Sequence, residues 1–195
     1  MFDSPWLDRL TRVNPAVVPA IFVPVILWFG ITAFGNTRTA AVFGWIIVGY
    51  LTWTLTEYWL HRVVFLFEPE RGIGARLHWM IHGVHHDHPN DPLRLVMPPS
   101  ASIPLGLLFA LLFQALFAYG AACALSAGFF AGYLAYDMTH YAVHHMTPRG
   151  RIGRRLRELH MRHHFQDDTT GFGVSAPWWD RVFGTATRAD RSEET

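Results

Sequence analysis

Apolar residues fall in long blocks along this chain, not in alternation. The blocks run roughly Pro15–Phe34, Ala40–Leu60, Ser102–Tyr119 and Ala121–Tyr141. Each approaches the roughly 20 mostly apolar residues that a helix needs to cross a bilayer. The pattern therefore predicts an all-α integral membrane protein, with four transmembrane helices paired as two hairpins. Pro15, Pro19 and Pro24 all fall in the first block. Pro15 suits a first helical turn, and Pro19 and Pro24 predict kinks, which membrane helices tolerate.

The polar positions are as informative. A short GNTRT turn at 35–39 joins the first pair of spans, and a tight connection at 119–122 joins the second. Between the pairs lies a polar loop, 61–101, too long to be structureless in a compact domain. A second polar piece, 142–195, follows the last span. Within it Ile152, Leu156, Leu159 and His163 recur at helical spacing, which predicts a helix over Arg151–Phe165. Loop and tail together read as one helical cap on a single domain, 1–195.

Composition sharpens this picture. Hydrophobic residues are 51% and charged residues 16%, too apolar for a typical soluble domain, and the net charge of +1 gives no reason to expect a nucleic-acid partner. All sixteen basic residues are arginine, and only Arg38 sits in a short loop on the side away from the cap. The positive-inside rule then places both termini and the cap in the cytoplasm. The apolar start is too long and too late for a cleavable signal. Cys123 is the one cysteine, so no intrachain disulfide is available, and inside a span it reads as a packed thiol. Arg149, Arg151, Arg154, Arg155 and Arg157 read as lipid-headgroup contacts, and Trp178 and Trp179 as an interfacial anchor. Phe129, Phe130 and Tyr133 are placed to line an apolar substrate channel.

Twelve histidines crowd between residues 61 and 164. The spacing H-x-x-H-H occurs twice, in HGVHH (82–86) and HMRHH (160–164). Residues three or four apart share a helix face, so His82, His85 and His86 make one face and His160, His163 and His164 another. His140 and His144 line up with Tyr136 on the last span. Neutral imidazole is the commonest metal-ligating side chain. Adjacent histidines point about 100° apart on a helix, so each H-H pair can serve two neighbouring ions. A ligating histidine usually donates its other N–H to a carboxylate or carbonyl; Glu57 and Asp137 are the candidates for that role, with Glu158 a third. His78, His88 and His145 are weaker candidates for ligation, second contacts or packing.

The residues quoted so far also carry a resemblance. EYWLHR (57–62), HGVHH with DPLRLVMPP (82–99), YDMTHYAVHH (136–145), LRELHMRHH (156–164) and GFGVSAPWWDRVFGT (171–185) resemble the fatty acid hydroxylase superfamily of histidine-box di-metal membrane oxygenases. The likeness is greatest to its fatty acid 2-hydroxylase branch. It implies metal ligation by His61, His82, His85, His86, His140, His144, His160, His163 and His164. The branch usually has a further histidine where this chain has Leu66, and water, His88 or His78 could fill that place. The implied cofactors are two iron ions, with zinc able to occupy the same ligands, and O2 is the co-substrate. The implied reaction inserts oxygen into a C–H bond of a fatty acyl group in a membrane lipid, at carbon 2. Eukaryotic relatives often carry a cytochrome b5-type domain. None fits before His61, so a separate cytochrome b5-like or ferredoxin-like donor is expected.

Two other readings stay open on sequence. A carotenoid or sterol oxygenase of the same superfamily would keep these ligands, and substrate feeding separates it. A non-enzymatic membrane metal-binding protein would string histidines through the bilayer, whereas here they gather at one side.

Overall fold

A computed structural model describes residues 12–65, 72, 74 and 83–187, and no strand occurs among them. In chain order the helices are α1 (Val17–Asn36), α2 (Thr39–Trp59), α3 (Val84–Asp87), α4 (Pro99–Leu116), α5 (Tyr119–His145), α6 (Arg151–Phe165) and α7 (Trp178–Val182). A π-helical turn, Leu60–Phe65, prolongs α2. Leu66, His78 and His82 lie outside the described residues.

The expected helices are present, and α4 packs against α5, but the first pair does not pack as a hairpin. α1 and α2 touch each other little, and both pack on α5, which runs through the centre of the bundle. Small residues on α5 explain why. A Cβ on Gly128 would lie 2.0 Å from the Ile46 carbonyl oxygen, and one on Gly49 of α2 would lie 2.1 Å from that of Leu125. Backbones meet there directly, as membrane helices do across small residues. Around this seam pack Trp53, Phe129, Phe130 and Tyr133.

The same arrangement changes the membrane reading. Val17–Asn36, Thr39–Val64 and Pro99–Leu116 are long and apolar enough to cross a bilayer. Leu27, Ile31, Ile47, Leu108 and Leu111 stand exposed on them, as lipid-facing residues must. α5, expected as a fourth span, is long enough with its 27 residues but falls short in apolarity. Its surface is largely covered by protein, so Gly, Ser, Tyr and Asp carry no lipid-contact penalty there. Pro19 falls in the first turn of α1, where its missing N–H would be unpaired anyway, so Pro24 is the internal proline.

Two further expectations change. Arg157 turns inward: it donates to the carbonyls of Val143, His144 and Met146, closing the C-terminal end of α5. Trp178 is exposed, but Trp179 donates from Nε1 to Thr54 Oγ1 at 3.1 Å.

Candidate metal centre

Four elements deliver the histidines. The π turn presents His61, α3 presents His85 and His86, the end of α5 presents His140 and His144, and α6 presents His160, His163 and His164. A π turn widens the helix by one residue and recurs at functional sites; here it follows the last turn of α2. The α6 helix buries Leu159, His160 and His163 and turns Ile152 to solvent. Its buried face is thus built mainly of imidazole.

The histidines separate into two groups. The ring nitrogens of His85, His140, His144, His160 and His164 offer atoms within 4.8 Å of one another, and so do those of His61, His86 and His163. Both H-H pairs divide: His85 and His164 join the first group, His86 and His163 the second. The groups adjoin, with the His86 and His164 rings stacked 4.2 Å apart. His88 and His145 are exposed and belong to neither.

In the larger group Nε2 atoms face each other. The separations are 3.0 Å for His85 to His164, 3.0 Å for His140 to His85, 2.8 Å for His160 to His144 and 3.1 Å for His164 to His160. An Nε2 carries either a proton or a lone pair, so such a run cannot be fully satisfied by hydrogen bonds alone. A cation at the centre can take all the lone pairs. With metal–nitrogen distances of roughly 2.0–2.1 Å, two ligands at right angles sit about 2.9 Å apart, which matches these separations. In the smaller group the Nδ1 atoms are engaged outward. His61 Nδ1 donates to Phe172 O at 2.8 Å and His163 Nδ1 to Thr170 O at 2.7 Å, because a carbonyl only accepts. Each ring therefore carries its lone pair on Nε2, and that of His163 is buried without a hydrogen-bond partner among the described residues. The residues present fit metal ions in both groups.

Electrostatics agree. Burial, then the neighbouring imidazoles, hold His85 and His160 well below the usual histidine range, and burial lowers His163. Metal ligation requires neutral imidazole, and the site supplies it at neutral pH.

The carboxylates behave differently from expectation. Glu57 and Asp137 turn to loop residues instead of to histidine rings. Glu57 accepts from the Ser175 N–H at 2.7 Å and from the Ser175 hydroxyl. Asp137 accepts from Met97 N–H at 3.1 Å and lies 3.5 Å from the Tyr133 hydroxyl. Both pin loops against helices. Glu158 pairs with Arg155 and Arg162 at the surface. The groups that do hold His61 and His163 are backbone carbonyls, which side-chain spacing cannot reveal. Phe129, Phe130 and Tyr133 line a narrow cavity with Phe22, Trp53 and Gly106.

A helical bundle with three helices able to cross a membrane, and with eight described histidines converging in two adjoining groups able to hold metal, defines a class, that of histidine-rich helical proteins built for metal and membrane. Comparison narrows it. The profile of the fatty acid hydroxylase family matches residues 46–185. The chain is 37% identical to a dihydroceramide fatty acyl 2-hydroxylase of Arabidopsis thaliana, over 99% of this chain and 83% of that one. It is 37% identical to the ceramide very long chain fatty acid hydroxylase of Saccharomyces cerevisiae, over 92% of this chain and 47% of that one. A solved structure described as full-length scs7p, with only the hydroxylase domain visible, superposes with a TM-score of 0.91 at 37% identity, covering 95% of this chain and 71% of that one. The chain belongs to the fatty acid hydroxylase family and is a hydroxylating oxidoreductase.

Proposed function

We propose that this chain is an O2-dependent di-iron hydroxylase acting at carbon 2 of an amide-linked fatty acyl group, as in a ceramide-like lipid. The observation that carries the reading is the division of eight histidines into two adjoining groups at one end of the bundle. The names of the relatives support the regiochemistry and lipid class. His85, His140, His144, His160 and His164 would hold one ion, and His61, His86 and His163 the other. His82 is a further ligand on resemblance. Iron bound there supplies the redox chemistry for O2 activation, which side chains alone cannot provide.

The protein's own part is placement. Thr170 and Phe172 carbonyls fix the tautomers of His163 and His61. Tyr136 stacks 5.7 Å from His140 and backs the larger group on its bundle side. The exposed apolar belts of α1, α2 and α4 set the site beside the bilayer, where a lipid tail can reach it without crossing water. Both termini and the cap face the cytoplasm in this reading, with electrons supplied by a separate cytochrome b5-like or ferredoxin-like protein.

Lipid extracts of a host expressing the protein test the proposal by fragmentation mass spectrometry, with His163→Ala as control. The expected result is one added oxygen at carbon 2 of an amide-linked acyl group, only with the intact protein. Oxygen added to supplied carotenoid or sterol instead would overturn the substrate assignment.

A further inference from the structure

The GFGVSAPWWDRVFGT stretch holds no histidine, yet both outward Nδ1 contacts of the smaller group end beside or within it. Asp180 is its organising residue. The carboxylate is buried, 2% exposed. Its Oδ1 accepts from the Phe172 N–H at 2.8 Å and from the Thr185 hydroxyl at 2.8 Å, and its Oδ2 accepts from the Gly173 N–H at 2.8 Å. The Asp180 backbone carbonyl also accepts from Thr185 N–H at 2.7 Å.

The geometry of the loop makes that grip consequential. Thr170 and Phe172 offer their carbonyls to different histidines, and Gly171 reverses the backbone between them with φ +75°. Only glycine adopts that conformation without strain. A Cβ on Gly173 would lie 2.4 Å from the Ala176 carbonyl oxygen and 3.0 Å from Asp180 Oδ2, so the loop is drawn tightly around the carboxylate. A run of donors leads in from the end of α2. Arg62 donates to the Tyr58 hydroxyl at 2.8 Å, Tyr58 lies 2.9 Å from Thr185 Oγ1, and Thr185 donates to Asp180. Since a carboxylate only accepts, the donors run one way, and such runs strengthen each member.

The larger group shares α3 and α6 with the smaller one, and His160 borders the same loop, but the backbone contact at His144 lies outside residues 170–173. Its ligands come from helices α3, α5 and α6, with the Pro89 backbone behind His144. We infer that Asp180 is a positioning residue for the three-histidine group, acting through the 170–173 backbone on His61 and His163. The inference rests on the two-ion reading of the histidines and assigns Asp180 to one of the two ions only.

Metal retention tests it without turnover. Purified protein, stripped and reloaded with zinc, is challenged with chelator while released zinc is counted. The wild-type protein should hold two equivalents. Asp180→Asn replaces an acceptor by a donor against these backbone N–H groups and should weaken one equivalent by about 10–100-fold, the usual cost of losing a partner behind a ligand, while the other is unchanged. In a background with His140, His144 and His160 all changed to alanine, which leaves the larger group two of its five histidines, the single remaining zinc should be the sensitive one. Thr185→Val, which keeps the side chain's shape, should act in the same direction and less. Retention of both equivalents at wild-type affinity in Asp180→Asn overturns the inference. So does parallel loss of both, which marks a general structural role. Fewer than two equivalents in the wild-type protein would sink the two-ion reading, and the inference with it.

Discussion

At the scale of the residue, the site contrasts side chains that sequence spacing reveals with backbone groups that it hides. H-x-x-H-H announces a shared helix face, and the splitting of adjacent histidines between two groups follows from the step of about 100° per residue. Glu57 is legible as a carboxylate near His61, but its partner is not, because Ser175 lies 118 positions away. Asp180 is legible only as a letter in a family stretch, since its effect passes through two backbone carbonyls. Arg157 shows the same limit: it sits in an arginine-rich run that reads as a lipid contact, yet it satisfies three carbonyls at the end of α5. Arg157→Ala should therefore cost about 1.5–3 kcal/mol, the range for hydrogen bonds to charged groups. A lowered thermal midpoint of the purified protein, with no such drop in Arg154→Ala, is the expected observation.

At the scale of the element, length and boundaries are readable and neighbours are not. Apolar blocks set the helices to within a few residues, because a span needs a minimum run whatever it packs against. Which helix stands in the middle depends on where two backbones can touch, and glycines in α1, α2 and α5 look alike in sequence. Gly128 faces the Ile46 carbonyl, whereas a Cβ placed on Gly44 meets nothing within 4 Å. Gly128→Leu should thus part α2 from α5 and cost more than about 4 kcal/mol, the exceptional range for a single change. Gly44→Ala should be neutral or stabilise by roughly 0.5–1 kcal/mol through helix propensity. Thermal unfolding in one detergent compares the two directly.

At the scale of the whole molecule, the bundle and the histidines share elements: α5 carries both the glycine seam and ligand candidates, and α2 runs from that seam into the turn that holds His61. Ions bound to the native cap and not to the unfolded state add stability by mass action, about 4 kcal/mol at a thousandfold excess over Kd. Chelation should therefore lower the thermal midpoint of the loaded protein, and readdition of metal should restore it. A variant with His140, His144, His160 and His163 all changed to alanine, which leaves two histidines in each group, should show no chelator effect. The orientation derived from arginine placement has its own check: a reporter fused after residue 187 should be active only on the cytoplasmic side.

The loop that holds His61 bears on the order of events during synthesis. His61 leaves the ribosome more than a hundred residues before the Phe172 carbonyl that orients it, and Asp180 follows later still. Nascent polypeptides emerge at roughly 5–20 residues per second, so the spans are inserted while the smaller histidine group still lacks its orienting carbonyls. The larger group is complete once α6 has formed. On the two-ion reading, the smaller group would be the later to become ready for its ion, once the 170–185 segment has folded back onto α2.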